Sequence, residues 1–224
     1  MTRVEMPSPN QDTRRGAPVD MLVLHYTGMA TAAAALARLC DSAAKVSAHY
    51  TIDEDGTVYA HVPETRRAWH AGKSFWAGVT DVNARSIGIE LVNPGHELGY
   101  RAFAPAQIAA LKILCRDILA RHPIPAARVL GHSDVAPTRK IDPGELFPWA
   151  ELADAGIGLW PAPQQGNLGA GALAHFGYDP GVPADKITTA FQRHFRPDAV
   201  NGVWDAQCAG LLAGLLAKMP PAAS

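Results

Sequence analysis

Two short runs restrict what this chain can fold into more than anything else in it. Asp20-Met-Leu-Val-Leu-His-Tyr26 and Ser86-Ile-Gly-Ile-Glu-Leu-Val92 are apolar through most of their length and short for helices. Runs of this kind are strands inside a sheet, and a sheet with buried strands needs helices to cover it. The chain supplies them. Residues 30–40 are rich in Ala and Leu and read as a helix. Pro105 to Arg121 is the clearest helix: Ile108, Leu111, Cys115 and Ile118 recur every three or four residues, Pro105 stands at its start, and Pro123 and Pro125 end it. Between Val46 and Val62, two strand-like pieces flank the turn signal Asp53-Glu-Asp-Gly56, which predicts a hairpin. Arg128-Val-Leu-Gly-His132 reads as a further strand leading into a Pro- and charge-bearing loop, 133–148. Residues 1–18 are polar, carry Pro7, Pro9 and Pro18, and read as an entry segment. The expected fold class is α/β, a mixed central β-sheet flanked by α-helices.

The expected domain covers residues 1–159. Trp160-Pro-Ala-Pro-Gln-Gln-Gly166 reads as a linker. Residues 167–224 then show three helical patterns, near Ala170–Phe176, Ala184–His194 and Asp205–Lys218, and are expected to form a small three-helix domain. A unit of that size buries little surface and is marginal alone.

Composition excludes partners. Lys and Arg number 20 against 21 Asp and Glu, a formal charge of −1, so the chain lacks the dense cationic surface that broad nucleic-acid binding or a polybasic membrane contact needs. Apolar residues make up 48% and charged residues 18%, enough core and too little charge for a disordered chain. Cys40, Cys115 and Cys208 are odd in number and irregular in spacing, which is no disulfide framework. No window has the length of a membrane span. The first ten residues have no apolar core behind a basic start, so no classical signal peptide is read there.

Three potential metal ligands fall at strand ends or in the loop beyond. His25 ends the first buried run, His132 ends the later strand, and Asp142 lies in Arg139-Lys-Ile-Asp-Pro-Gly144. Two imidazoles and one carboxylate match the three protein ligands of a catalytic zinc. Nine His are spread over the chain, and a lone His at a strand end is more often structural. Glu90 is the acidic residue in an otherwise apolar run. It either points to solvent from a half-exposed strand or is a carboxylate kept for proton transfer. Lys140 lies two residues before Asp142 and, in an extended segment, faces the same way. Its ammonium is either ordinary and solvated or placed to stabilise an oxyanion.

Taken in order, the segments Leu24-His-Tyr-Thr27, Ser47-Ala-His-Tyr50, Ala68-Trp-His-Ala-Gly72, Asn83, Ser86-Ile-Gly-Ile-Glu90, Gly131-His-Ser-Asp-Val-Ala-Pro137 and Lys140-Ile-Asp-Pro-Gly144 resemble the zinc N-acetylmuramoyl-L-alanine amidases of the AmpD/AmiD type. The resemblance covers roughly residues 18–155. It implies zinc as cofactor, His25, His132 and Asp142 as its ligands, Glu90 as the catalytic acid/base and Lys140 as a second catalytic residue. Asp142, where phage members carry Cys, and Ala48, where they carry Tyr, follow the bacterial pattern. The resemblance also implies a structural role for His49 and substrate contacts for Trp69, His70 and Asn83. In the tail, Ala190-Phe-Gln-Arg-His-Phe195 followed by Asn201-Gly-Val-Trp-Asp205 is similar to small three-helix peptidoglycan-binding domains, although Ala206, Gln207 and Cys208 stand where those domains carry a Thr.

The expected activity is zinc-dependent hydrolysis of the amide between N-acetylmuramic acid, ordinary or 1,6-anhydro, and the L-alanine of a stem peptide. The alternative is a non-catalytic peptidoglycan-binding protein, which the filled ligand positions argue against. The expected partners are peptidoglycan or muropeptide fragments, with no nucleic acid and no membrane span, and the expected state is a monomer. The N-terminus favours the cytoplasm, while a wall-binding tail favours the periplasm or envelope.

Overall fold

The computed structural model describes residues 2–219; Met1 and residues 220–224, the end of the expected C-terminal unit, lie outside the described residues. The chain enters through β1 (Arg3–Glu5) and β2 (Gln11–Thr13). It continues through β3 (Met21–Tyr26), α1 (Ala32–Cys40), β4 (Tyr50–Ile52), β5 (Val58–Ala60), β6 (Arg66–Ala68), α2 (Val82–Arg85) and β7 (Ser86–Leu91). Then come α3 (Gly95–Leu98), α4 (Pro105–Arg121), β8 (Val129–Gly131), α5 (His132–Val135) and α6 (Trp149–Asp154). Six strands form the main sheet in the order β1-β5-β4-β7-β3-β8. β4 and β5 are the antiparallel hairpin around residues 53–56, and the other neighbours run parallel, so the sheet is mixed. β2 pairs antiparallel with β6.

The entry segment departs from its expectation. β1 adds to the sheet edge at β5, and β2 holds β6. Three-residue strands of Arg-Val-Glu and Gln-Asp-Thr, mostly exposed, offer no apolar alternation for a sequence reading to find. The loop 133–148 likewise opens on the single helical turn α5, too short to show a period.

The apolar run of β3 is accounted for by two separate covers. Leu22 and Leu24 face one side and pack with Ile87, Ile89 and Leu91 of β7 and with Ile108, Leu111, Cys115 and Ile118 of α4. Met21 and Val23 face the other side and join Trp76, Leu130 and Val135 in a cluster with residues from the C-terminal segment. β7 alternates instead: Ile87, Ile89 and Leu91 enter the α4 side, leaving Ser86, Gly88 and Glu90 on the opposite face. Gly88 is required there, because a Cβ would run into the His70 ring.

Residues 161–169 carry no helix or strand and lead to α7 (Leu173–Phe176), α8 (Ala184–Phe195) and α9 (Ala206–Leu216). The backbone at Ala162 and Gln164 crosses α9 over Gly214 and Gly210, where any side chain would collide. Buried Gln192 accepts from the backbone N–H groups of Asn201 and Gly202 and donates to the Val203 carbonyl, clamping the turn between α8 and α9. Leu173, Phe176, Ile187, Phe191 and Leu212 complete the cluster over Met21 and Val23. No described helix is long and apolar enough to cross a membrane.

Candidate metal centre and its cleft

The sheet brings the predicted ligands together at the carboxyl ends of its parallel strands, where α/β folds open their sites. His25 is the fifth residue of β3 and stands in register with Glu90 on β7. β8 pairs with β3 on the other side and ends at Gly131, so His132 emerges beside His25. The loop beyond α5 returns to place Asp142, tied by the Ser133 N–H to the Asp142 carbonyl at 2.9 Å. His25 Nδ1 and His132 Nδ1 lie 2.9 Å apart, and Asp142 Oδ2 is 3.0 Å from each. All three residues are buried.

The protons around this triangle can be assigned from the outside inward. The Ser86 hydroxyl donates to the Val82 carbonyl at 2.7 Å, so its oxygen accepts from His70 Nε2 at 3.0 Å. His70 Nδ1 is then the acceptor for His25 Nε2–H at 3.0 Å, which leaves His25 Nδ1 a bare lone pair. His132 Nε2 donates to the Ala71 carbonyl at 3.1 Å, so in the neutral ring Nδ1 carries the lone pair. Burial, reinforced by His132, lowers the His25 imidazole to about 4, and burial followed by His25 lowers His70 well below its ordinary value. Burial opposes the charge of Asp142, but a proton on either facing imidazole, paired with it at 3.0 Å, holds its carboxyl below the usual range.

With both imidazoles neutral, two ring lone pairs and a carboxylate oxygen converge, an arrangement that repels itself and that a cation, proton or metal, relieves. The donor set is the two imidazoles and one carboxylate of a catalytic zinc, and its 2.9–3.0 Å edges approach the roughly 3.3 Å between tetrahedral donors about 2.0 Å from zinc. The outer partners His70 and Ala71 fix both ring orientations, as second-layer partners of metal-binding histidines do. The residues fit a metal ion.

Two members of the triangle, His132 and Asp142, line a cleft of about 450 Å³ together with Glu90, Lys140 and Trp69. Glu90 is half-buried, and its Oε2 is enclosed without a hydrogen-bond partner among the described residues. Burial, then the negative charge of Asp142, raises its carboxyl well above the usual range, while Lys140 opposes the rise. Trp69 stands on the wall, its indole N–H donating to Asp12 Oδ2 at 3.3 Å. The two other residues expected at substrate turn inward. His70 borders the cleft, but both its ring nitrogens serve His25 and Ser86. Asn83 stands behind the wall, its Oδ1 accepting from the backbone N–H groups of His70 and Ala71 at 3.1 and 2.8 Å. His49 is fully buried, and its Nδ1 accepts from the Gly88 N–H. The sequence reading missed Ser86 as the anchor of the proton chain and Asp134 as the brace of α5; both lay inside recognised segments, with nothing to mark their partners.

Fold and site define an α/β protein with a place able to hold a metal ion at the edge of an open cleft. The sequence profile of the family described as N-acetylmuramoyl-L-alanine amidase matches residues 15–145. N-acetylmuramoyl-L-alanine amidase AmiD of Escherichia coli is 39% identical over 96% of this chain and 90% of its own length. Its solved complex with the substrate anhydro-N-acetylmuramic acid-L-Ala-D-gamma-Glu-L-Lys superposes with a TM-score of 0.81 at 38% identity, covering 91% of each chain. The 1,6-anhydro-N-acetylmuramyl-L-alanine amidase AmpD of Escherichia coli is 42% identical over 48% of this chain and 57% of its own length. The chain belongs to the N-acetylmuramoyl-L-alanine amidase family.

Proposed function

We propose that this chain hydrolyses the amide joining the lactyl group of N-acetylmuramic acid, ordinary or 1,6-anhydro, to the L-alanine of a peptidoglycan stem peptide. In this reading zinc is held by His25 Nδ1, His132 Nδ1 and Asp142 Oδ2. The observation that carries it is the convergence of those three donor atoms within 3.0 Å of one another, at a cleft that His132, Asp142, Glu90 and Lys140 line.

Bound there, zinc supplies a Lewis acid that polarises a carbonyl and acidifies water to a pKa of about 7. Glu90 accepts the proton of the attacking water and returns it to the departing amine nitrogen of L-alanine. Its raised affinity for a proton suits the second half of that task. The Lys140 ammonium, which lines the same cleft, stabilises the negative charge gathering on the carbonyl oxygen. Trp69 gives the sugar–peptide junction an apolar wall to lie against.

The test is to measure zinc content and to incubate the full chain with anhydromuramyl tripeptide and with muramyl tripeptide, detecting freed peptide by mass. One zinc per chain and release of a peptide with L-alanine at its new N-terminus are expected. Glu90→Gln is expected to keep its zinc and lose about 10²–10⁴-fold in turnover. Zinc-loaded wild type that releases no peptide from either muramyl form sinks the reading, and near-normal turnover in Glu90→Gln removes Glu90 from it.

A further inference from the structure

Asp134 stands where the C-terminal helices meet the metal centre. It lies on α5, two residues after His132, and is 1% exposed. Its Oδ2 accepts from the Gly131 N–H at 2.7 Å, closing the turn that begins at His132. The rest of its capacity is taken from a distant part of the chain. The Tyr178 hydroxyl donates to Oδ1 at 2.6 Å, and His194 Nδ1 donates to Oδ2 at 2.7 Å. Both donors are buried, and the His194 ring stacks on Trp149 with 3.7 Å between centroids. Burial, then the charge of Asp134, lifts the Tyr178 phenol well above its ordinary value, so it remains a donor.

The turn so held is the one from which two of the three candidate ligands are placed. His132 is its first residue, and the Ser133 N–H holds the Asp142 carbonyl. The Val135 carbonyl accepts from the Phe75 N–H at 2.8 Å, fastening the same turn near the segment whose Ala71 carbonyl orients His132. Adhesion of the helices needs only the apolar cluster around Trp76. Two buried hydrogen bonds aimed at one carboxylate add direction, and the direction is passed to the ligand turn.

We propose that Tyr178 and His194 are positioning residues of the metal centre, setting the place of His132 and Asp142 through Asp134, so that the C-terminal helices are part of the metal site. The inference rests on reading His25, His132 and Asp142 as the ligands.

The test uses the full chain and two readouts other than turnover: zinc affinity by chelator competition, and the visible spectrum of the cobalt(II)-substituted protein. Tyr178→Phe keeps the ring and its packing and is expected to weaken zinc about threefold; His194→Leu, about tenfold, the low end for loss of an outer partner. Both are expected to shift the cobalt bands. His194→Asn, whose amide N–H stands in for Nδ1–H, is expected to retain affinity within about twofold. Unchanged affinity and cobalt spectrum in Tyr178→Phe overturn the proposal, whatever happens to the melting temperature, and that variant decides the matter if His194→Leu fails to fold. Equal losses in His194→Asn and His194→Leu point to ring stacking and remove His194 from it. Wild type that binds no zinc overturns the ligand reading instead.

Discussion

At the scale of single residues, the chemistry depends on where three protons sit. Val82, Ser86, His70 and His25 form a chain in which each hydrogen-bond direction forces the next, and its last consequence is the bare lone pair on His25 Nδ1. Ser86→Ala breaks the chain at its anchor and leaves His70 free to present either ring nitrogen to His25. Zinc affinity is expected to fall about tenfold, read by chelator competition with circular dichroism confirming the fold. Undiminished affinity means that something other than this chain orients His25. The candidate ligands His25, His132 and Asp142, and with them Glu90 and Lys140 of the cleft, could be picked out because each sits in a motif and the motifs run in order. The tasks of His70 and Asn83 were not. Both lie in recognised segments, yet what they do is set by partners 12 to 45 residues away and by the direction of hydrogen bonds. No spacing pattern encodes that direction.

At the scale of elements, legibility followed apolar content. α4 spans Pro105–Arg121 as its period and flanking prolines predict, and β3 and β7 fall within the two runs that most constrain the fold. β1, β2 and α5 are short or polar and left no period to read. Between elements, polar joints were illegible for the same reason. Glu64, in the loop between β5 and β6, ties together β4 and the end of α4: Tyr50 O–H and Arg121 Nη2 donate to its Oε1, each at 2.7 Å, and His122 Nε2 lies 2.7 Å from its Oε2. Burial pushes this carboxyl up, but the hydrogen bonds from Arg121, Tyr50 and His122 outweigh burial and hold it at about 2. Since the unfolded value is about 4.3, the joint stabilises the fold fully above that pH and weakens as pH falls toward about 2. Glu64→Gln is expected to cost on the order of 1–2 kcal/mol at pH 7, discounted for the exposed Arg121 arm, with the difference closing at low pH. Urea melts of both proteins across that range check it; a gap that stays constant down to pH 2 shows that Glu64 acts through something other than its charge.

At the scale of the whole molecule, the question is what the C-terminal helices are for. The sequence reading set residues 167–224 apart as an accessory unit, and the apolar run of β3 already carried a warning: a strand apolar on both faces needs two covers, and α4 supplies only one. The second cover is the tail. Met21, Val23, Trp76, Leu130 and Val135 are each at most 2% exposed and share a cluster with Leu173, Phe176, Phe191 and Leu212. Gly177 lies so close on Trp76 that a side chain there would strike the indole, and its carbonyl accepts from the Ala77 N–H. Removing residues 160–224 uncovers those five apolar side chains at about 1.5–3 kcal/mol each, a total comparable with the whole 5–15 kcal/mol margin of a folded domain. The shortened chain is therefore expected to aggregate or to lose its cooperative thermal transition, with or without added zinc, as calorimetry and light scattering would show. Loss of wall hydrolysis on truncation would then report a lost fold as readily as a lost wall contact. A shortened chain that melts cooperatively near the full-length temperature would show that the sheet closes without its second cover and would return the tail to the rank of an attachment.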